Sequence, residues 1–172
     1  MKPISIDLEL PINSYSIHID QSWEGLNKAI KPFIGHKAMV VTDENVDELF
    51  SRDIDFILKS IGSQVTLAVV KPGEDSKSLK TAESLYTQAL KNGLDRSSAI
   101  IALGGGVVGD LAGFIAATYM RGINYVQIPT TLLAQVDSSV GGKVAVNHPL
   151  AKNIIGSFYQ PKSVYINIDT LK

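Results

Sequence analysis

The sequence has no cysteine. That excludes a disulfide framework, a thiolate zinc site and a cysteine nucleophile. An excess of charge of one sign is also missing: 16 Lys and Arg stand against 17 Asp and Glu, for a net charge of −1. Without a basic excess there is no electrostatic footprint for nucleic acid or another polyanion. No uncharged apolar run reaches the ~18 to 20 residues a membrane helix needs. Met1 to Leu10 carries Asp7 and Glu9 where a secretory signal would have an unbroken apolar core. Only three histidines are present, none with a carboxylate three or four residues away, so the spacing gives no metal site. What remains is a chain of 172 residues, 45% of them hydrophobic. Its length predicts one domain with a core large enough to need no staple. A soluble, cytoplasmic protein is the expectation.

The pattern begins as a β-hairpin. Ile4, Ile6, Leu8 and Leu10 alternate with polar residues, Pro11-Ile12-Asn13 supplies turn chemistry, and Tyr15, Ile17 and Ile19 alternate again. Ser22 is then a candidate N-cap for a helix through Trp23, Leu26, Ile30 and Phe33, stopped by Gly35. From there strands and helices take turns. Ala38 to Thr42 and Val65 to Val70 read as strands buried on both faces, Ser98 to Leu103 as a third and Tyr125 to Ile128 as a fourth. Between them, Val46 to Ile61 and Leu79 to Leu90 show helical spacing, ended by Gly62 and by Asn92-Gly93. This alternation predicts an α/β fold: a Rossmann-like, doubly wound, mainly parallel sheet with an N-terminal β-hairpin.

The most informative stretch is Leu103-Gly-Gly-Gly-Val-Val-Gly-Asp110, in which Gly104, Gly106 and Gly109 satisfy G-x-G-x-x-G between a buried strand and an apolar helix, Leu111 to Met120. Glycines there allow positive φ and hold no Cβ against a ligand, while the helix N-terminus can face a phosphate. A plain tight turn is the alternative. A dinucleotide fingerprint also wants a carboxylate about 20 residues on, yet none lies between Asp110 and Asp137. Loops after the first two strands of the alternating region offer substitutes, Asp43-Glu44-Asn45 and Gly73-Glu74-Asp75-Ser76-Lys77. Asp43 and Asn45 could equally be helix N-caps, and Glu74 and Asp75 first-turn acids.

Residues 111 to 136 hold a single charge, Arg121, which is either a helix C-terminal cap or an anion clamp. Thr130 and Thr131 follow a strand and could cap a helix or bond a ribose or phosphate. Asp137, Ser138 and Ser139 with Gly141-Gly142-Lys143 read as a flexible polar loop, and Lys143, Lys152 and Asn153 as spread across a loop containing His148-Pro149. Polar groups packed this densely need partners, and a phosphate-bearing ligand would satisfy them. His18 is placed on the hairpin surface and His36 in a helix-to-strand turn.

Several of these segments together resemble one family. Leu103-Gly-Gly-Gly-Val-Val-Gly-Asp-Leu-Ala-Gly-Phe114, Tyr119-Met-Arg-Gly122, Gln127 to Lys143, Val146-Asn-His-Pro-Leu150, Lys152-Asn153, Phe158-Tyr-Gln-Pro161 and Pro72-Gly-Glu-Asp-Ser-Lys77 resemble 3-dehydroquinate synthase, from Val41 onward. The resemblance implies a lyase of the shikimate route to aromatic amino acids. It would convert 3-deoxy-D-arabino-heptulosonate 7-phosphate to 3-dehydroquinate and phosphate, using NAD catalytically and a divalent metal, zinc or cobalt. The implied steps are alcohol oxidation, β-elimination of phosphate, carbonyl reduction, ring opening and aldol closure. Asp43, Asn45, Glu74 and Lys77 would be adenosine-side NAD ligands, Gly105, Gly106 and Asp110 the pyrophosphate loop, Thr130 and Thr131 nicotinamide-side contacts, and Lys152 a further cofactor contact. Asp137, Lys143 and Asn153 would hold the substrate, and Arg121 a phosphate across a homodimer interface. The family's metal ligands, a Glu and two His in a helical C-terminal domain, have no counterpart here. The expectation is therefore that residues 1–172 form the N-terminal NAD-binding domain of a two-domain enzyme, inactive alone. Other sugar-phosphate cyclases, metal-dependent polyol dehydrogenases and a non-catalytic NAD-binding module are the alternatives.

Overall fold

A computed structural model describes residues 3–8 and 13–172. The chain opens with antiparallel β1 (Ile4–Leu8) and β2 (Tyr15–Asp20), paired from Ile4 with Ile19 to Leu8 with Tyr15. The Pro11-Ile12 part of the expected turn lies outside the described residues. Then follow α1 (Leu26–Ile30), β3 (Lys37–Asp43), α2 (Glu44–Ser60), β4 (Gln64–Val70), α3 (Leu79–Lys91), β5 (Ala99–Gly104), α4 (Gly106–Thr118), β6 (Asn124–Pro129), β7 (Lys143–His148), β8 (Ala151–Phe158) and β9 (Ser163–Asn167). One seven-stranded sheet runs in the order β1-β2-β9-β6-β5-β3-β4, parallel except at the β1–β2 hairpin, and β7–β8 form a separate antiparallel pair.

Two cores sandwich the sheet. On one face, Leu26 and Ile30 of α1 and Ile54 and Leu58 of α2 pack on Ala38, Val40, Ile101, Leu103 and Val126. On the other, Ala82 and Leu85 of α3, α4, and Val144 and Val146 of β7 pack on Met39, Val41, Ile100 and Tyr125. Adjacent residues of β3 and β5 thus serve opposite cores, which is why both strands read as continuous apolar runs. Each fully buried Leu, Ile or Val side chain contributes roughly 1.5–3 kcal/mol. Because α2 leaves β3 on one face and α4 leaves β5 on the other, the chain diverges between two adjacent carboxyl ends and opens a crevice there.

Four expectations need correction. The helix expected from Ser22 is only Leu26–Ile30, followed by a 3-10 turn, Lys31–Phe33. Pro32, which has no N–H to donate, ends the α-helical ladder, and Ser22 Oγ accepts from the Glu24 N–H (3.2 Å) instead of capping α1. β4 is an edge strand rather than one buried on both faces: Leu67 is 45% exposed while Ala68 is buried. The helix after the glycines begins at Gly106, not Leu111. In the polar stretch from Asp137 to Asn153, residues 139–142 form a turn as expected, but Asp137 and Ser138 end a helical turn and Lys143, Lys152 and Asn153 lie on the strands of a hairpin; β9, unread in the sequence, fills the gap between β2 and β6.

Candidate functional site

Asp43 closes β3 and caps α2: its Oδ1 accepts from the N–H of Asn45 (3.0 Å) and of Val46 (3.2 Å). The capping alternative therefore holds for Asp43, while Asn45 is exposed beside it. Across the crevice, the glycine turn joins β5 to α4. None of Gly104, Gly105 and Gly106 has a positive φ, contrary to expectation; close approach explains them instead. A Cβ on Gly104 would lie 2.9 Å from the Val108 side chain, one on Gly105 3.1 Å from Thr131 Cγ2, and one on Gly106 3.1 Å from Ser138 Oγ. Gly105 caps α4 without any side-chain bond, so no capping side chain satisfies the first-turn N–H groups of that helix.

Thr130 follows β6, and its N–H donates to the Gly104 carbonyl (3.0 Å). Its Oγ1 is buried without a hydrogen-bond partner. Thr131 Oγ1 accepts from the Ala134 N–H (3.3 Å), the capping alternative again. The chain then forms a π-helical turn, Ala134–Ser138, whose last residues include Asp137. Such wide turns shift a side chain relative to an α-helical path and often occur at functional positions. Here Asp137 faces a cleft of about 480 Å³ that Asp110, Lys143 and Asn153 also line, with Val140, Ile154 and Phe158 as its apolar part.

Beside it lies a second cleft, of about 630 Å³, lined by Glu74, Lys77, Asn147, His148 and Lys152. A chain of polar contacts joins the two. Lys77, only 5% exposed, donates from Nζ to Asp110 Oδ2 at 2.5 Å and lies 3.8 Å from Glu74 Oε1. Burial raises the Asp110 carboxyl above its ordinary value of 3.8; the Lys77 hydrogen bond and charge oppose that rise, and Glu74 adds to it. Asn147 Nδ2 donates to Glu74 Oε1 (2.7 Å), and Asn147 Oδ1 accepts from the Asn153 N–H (2.8 Å). Tyr125, fully buried on β6, donates from its hydroxyl to the Gly109 carbonyl (2.7 Å), and burial holds its phenol protonated.

The structure thus brings together Asp110, Asp137, Lys143 and Asn153, and separately Glu74, Lys77 and Lys152, while Asp43, Asn45, Gly105, Gly106, Thr130 and Thr131 stand at three strand ends. Arg121 joins none of these. It precedes β6 at the opposite end of the sheet, where Met120 (φ 50°), Arg121 (φ 66°) and Gly122 (φ 116°) share left-handed backbone. Sequence reasoning missed Asn147 and Tyr125. Nothing marked Tyr125 beyond its strand, whereas the position of Asn147 between Val146 and His148 becomes a signal once both neighbours are assigned to a strand. His18 sits on the hairpin, its ring partly buried against Tyr165 (6.4 Å between centroids), and burial lowers its pKa. Among the described residues, no three His, Asp or Glu side chains cluster so as to hold a metal ion, and no helix is long and apolar enough to cross a membrane.

The chain is similar to known proteins in sequence and in fold. The 3-dehydroquinate synthase of Ruminiclostridium cellulolyticum is 52% identical over 166 residues, which are 96% of this chain and 46% of that protein. The crystal structure of 2-deoxy-scyllo-inosose synthase complexed with carbaglucose-6-phosphate, NAD+ and Co2+ superposes with a TM-score of 0.91 at 26% identity, covering 98% of this chain and 47% of that one. That of 2-epi-5-epi-valiolone synthase from Streptomyces hygroscopicus subsp. jinggangensis 5008, with NAD+ and Zn2+ bound, gives 0.80 at 27% identity, covering 93% and 44%. The chain spans about half the length of the curated relatives it matches. The family model of the N-terminal part of 3-dehydroquinate synthase matches residues 67–172, from within β4 through the glycine turn, both clefts and β9. With that model covering more than half of the sequence, the chain belongs to the 3-dehydroquinate synthase N-terminal family.

Proposed function

We propose that this chain is the NAD-binding, N-terminal domain of a 3-dehydroquinate synthase. With a second, helical domain, the whole enzyme would convert 3-deoxy-D-arabino-heptulosonate 7-phosphate to 3-dehydroquinate and phosphate. This is a carbon–oxygen lyase reaction in cytoplasmic aromatic amino-acid synthesis. The observation that carries the reading is the convergence of Asp110, Asp137, Lys143 and Asn153 on one cleft beside the uncapped start of α4. The relative at 52% identity favours this reaction over those of the cyclases at 26% and 27%.

The crevice fits NAD on two grounds: the first-turn amides of α4 have no side-chain cap, and Thr130 Oγ1 is buried without a partner. When bound, NAD supplies reversible hydride acceptance. Gly105 and Gly106 would let the pyrophosphate approach the α4 amides. Asp43, Asn45, Glu74 and Lys77 would face the adenosine side, Thr130 and Thr131 the nicotinamide side, with Lys152 and Asp110 completing the wall. In the neighbouring cleft, the Lys143 ammonium would hold an anionic group of the sugar phosphate, Asp137 would orient a hydroxyl, and Asn153 would bond a second oxygen. Arg121, which stands away from both clefts, would contact substrate phosphate in the other subunit of a homodimer, as the family resemblance implies. The described residues do not fit a zinc or cobalt ion. The family resemblance would place the metal site in the helical domain.

Calorimetric titration of NAD+ into the 172-residue chain tests the reading. Saturable binding is expected. Gly105→Val, whose side chain would occupy the space facing Thr131, is expected to weaken it at least about tenfold without abolishing the cooperative melt. A chain that melts cooperatively yet shows no saturable heat would overturn the cofactor assignment.

A further inference from the structure

Between β7 and β8 the register breaks. Val146 pairs with Ile155 and His148 with Ala151, so Asn147 alone opposes Lys152, Asn153 and Ile154. The surplus residues bulge, and Asn153 takes a left-handed conformation, φ 55°. Bulges of this kind redirect side chains. Here Lys152 lines the cleft with Glu74 and Lys77, while Asn153, the next residue, lines the cleft with Asp137 and Lys143.

Asn147 makes three bonds around this break. Its own N–H leaves the hairpin ladder and donates to the Lys77 carbonyl (2.8 Å), next to a parallel bridge with Ser78. Its Oδ1 accepts the Asn153 N–H, and its Nδ2 donates to Glu74 Oε1. A backbone held at positive φ without glycine is disfavoured, and the Asn153 N–H bond offsets that cost.

We propose that Asn147 is a positioning residue: one side chain fixes Asn153 in the substrate cleft through its carbonyl and Glu74 in the cofactor cleft through its amide. The assignment of the two clefts rests on the function proposed above; the bonds themselves do not. Asn147 lines the cofactor cleft, but its side-chain oxygen and nitrogen are engaged by Asn153 and Glu74, the two residues through which it acts.

The two halves of the amide separate in two variants. Asn147→Ala removes both bonds, whereas Asn147→Asp keeps an acceptor for the Asn153 N–H and loses the donor to Glu74. The backbone bond to Lys77 survives in both. Hydrogen exchange at the Asn153 amide and NAD+ titration are measured on the 172-residue chain. Asn147→Ala is expected to speed exchange at Asn153 at least about tenfold, and Asn147→Asp to restore it to within about threefold of the parent chain. Both variants are expected to weaken NAD+ about tenfold, with Asn147→Asp no tighter than Asn147→Ala, because a second carboxylate then faces Glu74. Unchanged Asn153 exchange in Asn147→Ala would overturn the proposal. So would equal loss of protection in both variants, the signature of a general structural defect. Should Asn147→Ala fail to fold, Asn147→Asp alone decides: lost protection at Asn153 overturns the proposal, and kept protection with weakened NAD+ supports it. A parent chain that does not bind NAD+ refutes the cofactor reading, while the exchange arm still decides the role of Asn147.

Discussion

Removing the Lys77 ammonium would leave Asp110 in the same wall with nothing to offset its burial. In the intact chain burial already outweighs the ion pair, so the folded state favours the protonated carboxyl relative to the ordinary value of 3.8. The sign follows. This group's contribution to stability is full below about pH 3.8 and is lost as the pH rises through the higher folded value. Lys77→Met keeps the stem's packing and removes the charge. Carboxyl ¹³C titration of Asp110 is expected to move further up in the variant than in the parent. Urea unfolding at pH 7 is expected to show a loss of about 3 kcal/mol, the scale for stranding one partner of a buried pair. Part of that loss should return as the pH falls and Asp110 protonates. An unmoved Asp110 titration would mean that the 2.5 Å contact contributes little to holding that proton.

Where α4 crosses β7, one small residue decides the spacing. Gly113 lies against Val144 and Tyr125, and a Cβ there would run into the Val144 side chain. Alanine is the better helix former by roughly 1 kcal/mol. The overlap falls on a buried β-branched residue in a strand, however, and overpacking of this kind costs about 1–3 kcal/mol. Gly113→Ala is therefore expected to lower the urea midpoint and, by displacing β7, to loosen the cleft at Lys143. A raised midpoint would show that the hairpin yields freely. The sheet's centre was readable because β3 and β5 are short apolar runs flanked by helices of clear period. The hairpin was harder. Val144 and Val146 do alternate, but Lys143, Asn147 and His148 draw attention to their chemistry, and the bulge breaks the alternation of β8. The grouping of Asp137, Lys143 and Asn153 was legible only through the family resemblance. The link through Asn147 depends on a register that spacing alone does not show.

At the scale of the molecule, the first cleft opens beside large apolar side chains that no described residue covers. Phe158 is 78% exposed, Ile154 66%, and Leu133, one turn before Asp137, 65%. Exposed apolar area of this kind promotes association. Sedimentation of the 172-residue chain is expected to show mass rising with concentration. Phe158→Ser with Leu133→Ser should reduce that rise with little change in melting temperature, since neither side chain is in the core. A concentration-independent monomer would refute this.

The position of β9 has a consequence for how the protein is made. Ser16 on β2 pairs with Ser163 on β9, so an early strand must wait for a late one before its side of the sheet can close. At ribosomal speeds of about 5–20 residues per second, that wait is on the order of ten seconds. Throughout it β2 would present an open edge, and once β6 is made its unpaired side would be another, two surfaces that can join neighbouring nascent chains on the same message. Chains arrested before Ser163 leaves the exit tunnel should remain open to protease at β1 and β2, and release of the last strand should close them in one step.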